Sequence, residues 1–293
     1  MVFNRITESD TDIIKKYTLL ANTRNCEFAL VNVFGWNDTD ELMYGFAEGL
    51  LVYRLINSDY AIYSVVSEDF DSDRIFEILE EDARENGKQL MITNVSETVA
   101  KRYMEDSQYS VTFEREWSDY IYRVDRMISL SGSKLHSKKN MLNRFIKSYN
   151  YEYEKITNSN IEECKAMKNE WMASRKCDES LNEESEIIDY ILDNMERFDI
   201  TGGLLRVDGK VAAITLGEKM SEDTFVTHVE KGLDGYCGIY QAINQIFTTN
   251  ELGKYTYVNR EDDMGNEGIR KAKLSYRPDI MYHKYCIEKK QFL

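Results

Sequence analysis

No uncharged apolar run in these 293 residues approaches the ~18 to 20 needed to cross a bilayer, and the opening MVFNRITESD has no apolar centre like that of a signal peptide. The chain is therefore expected to be cytoplasmic and to lack a transmembrane segment. Cysteine is sparse and unpatterned. Cys26, Cys164, Cys177, Cys237 and Cys286 are odd in number, widely spaced and free of any C-x-x-C pair. That usage fits reduced thiols better than a disulfide framework or a zinc site, so no structural metal is expected. Positive charge is also short: 37 Lys and Arg stand against 52 Asp and Glu, a net charge of -15. Indiscriminate binding to nucleic acid or anionic lipid needs a basic surface, so DNA is not an expected partner.

What is present is a globular composition, 42% hydrophobic with 20 Tyr and 12 Phe, enough to fill more than one core. Since domains usually run to about 100 to 200 residues, two are expected. One stretch reverses the overall charge. Lys134, Lys138, Lys139, Arg144 and Lys147 fall in SGSKLHSKKNMLNRFIKSY with no acid among them.

Periodicity predicts alternating elements. TESDTDIIKKYTLL reads as a capped helix with Ile13, Ile14, Tyr17 and Leu20 inward. LLVYRLI and YAIYSVVS flank Asn57-Ser58-Asp59 as a hairpin, and DSDRIFEILEEDARENGKQ has an acidic start and Gly87 near its end, a helix signature. LMITNVS, a helix from Ser96 and one or two strands in FEREWSDYIYRV follow. The basic stretch carries Leu135, Leu142, Phe145 and Ile146 at helical spacing. Beyond it come the strand YEYEKIT, two helices, a three-strand meander from GGLLRV to HVEKG, the helix GIYQAINQIFTTNEL and the strand KYTYVNRE. The expected organisation is a first α/β domain over 1–130, a basic linker helix over 131–150 and a second domain over 151–293.

Three long strings carry a resemblance: SGSKLHSKKNMLNRF at 131–145, HVEKGLDGYCGIYQAINQIF at 228–247 and VNREDDMGNEGIRKAKLSYRP at 258–278. Together they resemble the C-terminal-domain family of phosphatidylglycerol lysyltransferases. The resemblance implies an α/β (α+β) fold of two tandem GNAT-like domains, each a mixed, mostly antiparallel sheet flanked by helices, related to the Fem-type enzymes that transfer amino acids from aminoacyl-tRNA. The flippase region of full-length lysyltransferases has no counterpart in the 293 residues.

Within such a domain the N-terminus of the helix after the meander presents free N–H groups to phosphate. Gly235, Gly238, Ile239 and Tyr240 occupy that place, although the same glycines would serve an ordinary strand-to-helix turn. Lys138, Lys139, Arg260 and Arg270 are candidate contacts to an anionic donor. Amine or hydroxyl acylation needs groups to take and return a proton. The candidates are Glu230 at the end of the meander, Asn259 and Glu261 after the next strand, and Tyr276 before Arg277-Pro278. Bland alternatives stand beside each: solvated acids at a loop, a loop-fixing Asn and a core Tyr. His228, on an apolar strand, reads first as a satisfied core histidine.

The expected function is transfer of an activated acyl or aminoacyl group onto an amine or hydroxyl, with no permanently bound cofactor. The donor is acyl-CoA or aminoacyl-tRNA, and the acceptor a small molecule or a lipid. A non-catalytic module binding a metabolite or protein is the alternative.

Overall fold

The computed structural model describes residues 1–35, 42–175 and 179–290, so Cys177 lies outside the described residues. The strands, in chain order, are β1 (Phe3–Arg5), β2 (Met43–Ala47), β3 (Leu50–Ile56), β4 (Tyr60–Val65), β5 (Gln89–Val95), β6 (Tyr109–Phe113), β7 (Asp119–Arg123), β8 (Tyr151–Lys155), β9 (Thr201–Val207), β10 (Lys210–Lys219), β11 (Thr224–Gly232), β12 (Tyr257–Asn259), β13 (Ile280–Tyr282) and β14 (Tyr285–Lys289). The α-helices are α1 (Thr11–Ala21), α2 (Leu30–Gly35), α3 (Ser72–Glu85), α4 (Glu97–Ala100), α5 (Val124–Ser129), α6 (His136–Ser148), α7 (Ile161–Ala173), α8 (Glu179–Asp193), α9 (Ile239–Glu251) and α10 (Glu267–Leu274). Among the described residues no helix is long and apolar enough to cross a membrane.

Two compact units result, and neither is one continuous segment. The first comprises Met1–Asp119, Asp262–Gly265 and Met281–Leu293; the second comprises Tyr120–Glu261 and Asn266–Ile280. Helix α6, in the stretch read as a linker, therefore lies within the second unit.

In the first unit a seven-stranded sheet runs β1-β2-β3-β4-β5-β14-β6. The β3–β4 hairpin closes through Asn57, whose side-chain oxygen accepts from the N–H groups of Asp59 and Tyr60, the local bonding for which Asn is favoured in turns. Helix α3 starts where the Asp71 side chain accepts from Arg74 N–H, and Gly87 follows its end with φ +66°. It carries the chain from β4 to a parallel β5 and buries Ile75, Phe76 and Leu79 against Val52, Tyr63 and Ile92. Helix α1 departs from expectation on one face. Ile14 is fully buried, whereas Leu20 is 68% exposed and Ile13 partly so. Ile13 and Leu20 stand seven residues apart and so share one helix face, and that face is turned to solvent.

In the second unit the order is β7-β12-β11-β10-β9-β8. β9, β10 and β11 form the expected antiparallel meander, and α9 leads to β12, parallel to β11. Helix α6 buries Leu142 and Phe145, and Leu135 just before it is buried too, but Ile146 is exposed, which corrects the four-residue stripe expected there. Both units thus repeat one plan, a meander followed by a helix and a parallel strand. Each sheet then adds a strand from a distant part of the chain, β14 in the first unit and β7 in the second. The fold is a tandem pair of GNAT-like α/β domains.

Candidate functional site

The charged groups of the second unit assemble around the end of β11. Glu230 projects from that strand with both carboxylate oxygens engaged. Oε1 accepts from Arg260 Nη2 at 2.8 Å, and Oε2 accepts from Asn244 Nδ2 of α9 at 2.8 Å. Arg260, immediately after β12, has its guanidinium 5.1 Å from the centre of the Tyr276 ring and 5.8 Å from that of Tyr122. Lys138 of α6 places its ammonium 4.4 Å over the same Tyr276 ring. Four of the residues singled out from sequence, Glu230, Arg260, Tyr276 and Lys138, are therefore brought together.

Two polar atoms here are buried without a partner among the described residues, Arg260 Nη1 and Asn244 Oδ1. Asn244 as a whole is only 6% exposed. Burial pushes the Tyr276 phenol up to about 12, against the opposing pull of Arg260. Burial and the neighbouring Arg260 both lower Lys138, and Glu230 offsets them in part. Arg260 remains a guanidinium, with Glu230 countering its desolvation.

A second cluster centres on His228. Gly217 and Leu216 of β10 pair with Thr227 and Val229, so His228 is the extra residue of a β-bulge. The close backbone approach there requires a glycine, because a Cβ on Gly217 would lie 2.1 Å from the Val226 carbonyl oxygen. The bulge aims the imidazole between two carboxylates, with Nε2 3.1 Å from Glu218 and Nδ1 2.8 Å from Glu261. Burial alone would lower its pKa, but Glu261 and Glu218 prevail and raise it to about 9. Glu261 takes the left-handed backbone region at φ +57°, and Asn259, fully buried, accepts its N–H at 2.7 Å. Asn259 thus fixes the turn, and Glu261 faces an imidazolium.

Around the start of α9 the geometry is closed. Gly238 is the N-cap with φ +86°, and a Cβ on it would lie 2.4 Å from the Met141 carbonyl of α6. The Tyr149 hydroxyl accepts from Cys237 N–H at 2.9 Å and lies 3.3 Å from the Gly235 carbonyl oxygen. Ile239 is buried, and the Tyr240 hydroxyl donates to Gly232 and receives the Trp171 indole N–H. Lys139 is exposed on α6, and Arg270 is half-buried on α10.

The first unit holds a different charged cluster. Lys284, 3% exposed at its side chain, reaches Glu27 at 2.6 Å, Asp119 at 2.9 Å and Asp262 at 3.3 Å, with the Cys26 sulfur at 3.7 Å. Cys26, Asp119 and Asp262 have the proximity of a metal-ligand set. The lysine ammonium stands where a cation would, and these groups hold its pKa well above the usual lysine value despite burial.

Sequence reasoning did not single out Asn244, Glu218 or Tyr122. Asn244 carried a signal, being the polar residue on a helix face otherwise made of Ile239, Ala242, Ile243, Ile246 and Phe247.

A family model described as phosphatidylglycerol lysyltransferase, C-terminal, matches residues 19–288. The chain belongs to this lysyltransferase C-terminal family. A solved protein of unknown function from Bacteroides thetaiotaomicron is 32% identical, covering 98% of this chain and 99% of that one, with a TM-score of 0.90. The C-terminal domain of a putative lysylphosphatidylglycerol synthetase from Agrobacterium fabrum is similar in fold, at TM-score 0.68 and 16% identity over 96% of this chain and 92% of that one. An uncharacterized protein of Mycoplasmoides gallisepticum is 24% identical over 189 residues, 62% of this chain but only 60% of that relative's length. The lysyltransferase family is an acyltransferase family, and the tandem GNAT-like fold seen here is the one the resemblance implied.

Proposed function

We propose that the chain transfers an aminoacyl group from an aminoacyl-tRNA to a hydroxyl or amine acceptor at the Glu230–Arg260 site, a lipid hydroxyl being the first acceptor to test. The observation that carries this reading is Arg260 itself. Glu230 fixes its Nη2, and Nη1 is left as a buried donor without a partner. A buried donor in that state costs about 1–3 kcal/mol, which a substrate carbonyl can recover. As the carbonyl becomes an oxyanion during acyl transfer, a fixed guanidinium stabilises it more than the ground state, which is the condition for rate acceleration.

Two features favour an aminoacyl over a simple acyl group. Asn244 Oδ1 is a buried acceptor without a partner beside the same carboxylate, suited to an α-ammonium. In addition, Tyr149 and the Met141 carbonyl already occupy the glycine turn at 235–238, which weighs against a CoA pyrophosphate there. The basic stretch containing α6 gives a polyanionic donor a local positive surface on a chain of net charge -15. The family name supports a lysyl group and phosphatidylglycerol as the first pair to try.

The test is incubation of the purified protein with tRNA charged with radiolabelled lysine, then with other amino acids, in the presence of phosphatidylglycerol vesicles or soluble amines. Label should pass to the acceptor, and Arg260→Lys should slow transfer about 100-fold or more. Acetyl transfer from acetyl-CoA without aminoacyl transfer, or neither reaction, would overturn the reading.

A further inference from the structure

Each carboxylate expected to act as a base is drawn into a bond with another side chain. Glu230 accepts from Arg260 and Asn244, and Glu261 faces the His228 imidazolium. One nitrogen of the site is differently placed. Lys138 makes no ion pair and no hydrogen bond among the described residues, and its only close partner is the face of Tyr276 at 4.4 Å. A ring face accepts no proton and leaves the nitrogen lone pair of the neutral amine available to a substrate.

We propose that Lys138 is the general base of the transfer, a role that rests on the aminoacyl-transfer reading above. As the acceptor oxygen or nitrogen forms its bond to the aminoacyl carbonyl carbon, its O–H or N–H bond breaks and the proton passes to Lys138 Nζ. The bond between the carbonyl carbon and the ribose oxygen of the tRNA then breaks, and that oxygen receives the same proton. Lys138 ends neutral, and no co-reactant is consumed.

The surroundings suit the role. Tyr276, from the turn after α10, and Arg260, at the end of β12, face Lys138, with Glu230 of β11 behind Arg260. On its own segment the neighbouring charges are Lys134 and Lys139, also cationic. Two cations around one ring share one carboxylate, so the arrangement favours loss of a proton, and Lys138 is the member able to lose it. Desolvation and Arg260 act on Lys138 in that same direction.

The first experiment does not depend on turnover. The whole protein is labelled with trace acetic anhydride from pH 6 to 11, and acetylation is read lysine by lysine by mass spectrometry, with exposed Lys139 as internal reference. Lys138 should gain reactivity at lower pH than Lys139, and Arg260→Gln should narrow the gap. Lys138 titrating together with Lys139 overturns the proposal whether or not transfer is seen. The second experiment compares Lys138→Arg and Lys138→Gln in the transfer assay. Both should lose at least about 100-fold in kcat, with tRNA binding retained in Lys138→Arg. Near wild-type turnover in Lys138→Arg would reduce Lys138 to a charge contact and overturn the proposal. Early labelling of Lys138 with no transfer by wild type from any charged tRNA would instead retire the donor and acceptor of the preceding section, while supporting Lys138 as the basic group of the site.

Discussion

The imidazole of His228 makes stability depend on pH in a window where few other side chains titrate. Its pKa rises from 6.5 to about 9 on folding, because two carboxylates outweigh its burial. A folded-state pKa above the unfolded one means that the native protein holds the proton more tightly. The stabilisation is fully present below pH 6.5, declines as the pH rises and is gone once the pH passes through 9. At about 1.4 kcal/mol for each tenfold change in proton affinity, the full contribution is roughly 3 kcal/mol. The perturbation is His228→Gln, which keeps a polar side chain between Glu218 and Glu261 but cannot titrate. That substitution lowers stability outright, so the quantity to read is the difference between the two urea-unfolding profiles from pH 6 to 10. The wild type should lose roughly 3 kcal/mol relative to the variant between pH 6.5 and 9. In the variant the repulsion between the two ionised glutamates is present across the whole window, so it offsets the profile without changing its slope there. A constant difference across the window, or an imidazole proton resonance titrating near 6.5, would refute the reasoning.

Further outcomes follow from the same geometry. Gly238→Ala should destabilise the protein by about 3 kcal/mol, from left-handed strain and overpacking against the Met141 carbonyl; an unchanged melting temperature would mean that α6 and α9 do not pack so closely. Lys284→Met removes the cation shared by Glu27, Asp119 and Asp262 and should cost about 3–5 kcal/mol in urea unfolding, with part recovered in the double variant Lys284→Met, Asp119→Leu. Glu230→Gln releases Arg260 from its charged partner and should lower kcat far more than it raises KM; the opposite split would place Glu230 in ground-state binding.

Elements whose apolar residues face a core built from nearby sequence are legible in the amino-acid pattern alone. The β3–β4 hairpin, α3 and the β9–β11 meander are of this kind, each with its turn or cap chemistry in the adjoining residues. Helix α10 and strand β14 are not, for different reasons. The eight residues of α10 bury none of their side chains, so no apolar stripe marks it, although Asn266 caps it by accepting from Gly268 and Ile269. Strand β14 pairs with β5 and β6, which precede it by well over a hundred residues, and nothing local reports a partner so remote. The discontinuity of both units has the same origin, since the strands completing each sheet come from distant segments.

The site divides along similar lines. Residues at strand ends and turns, such as Glu230, Asn259 and Arg260, stand out because a polar residue closing an apolar strand is a local departure from pattern. What each of them does depends on pairings that sequence does not contain. Glu230 and Glu261 look alike in sequence as acids near one cleft, yet one holds a guanidinium and the other a histidine that its own field keeps protonated. With the carboxylates bound to cations in this way, proton transfer in the second unit falls to a group whose charge is opposed rather than supported by its neighbours. Lys138 meets that condition, because α6, within the second unit, sets its ammonium over the Tyr276 ring beside Arg260.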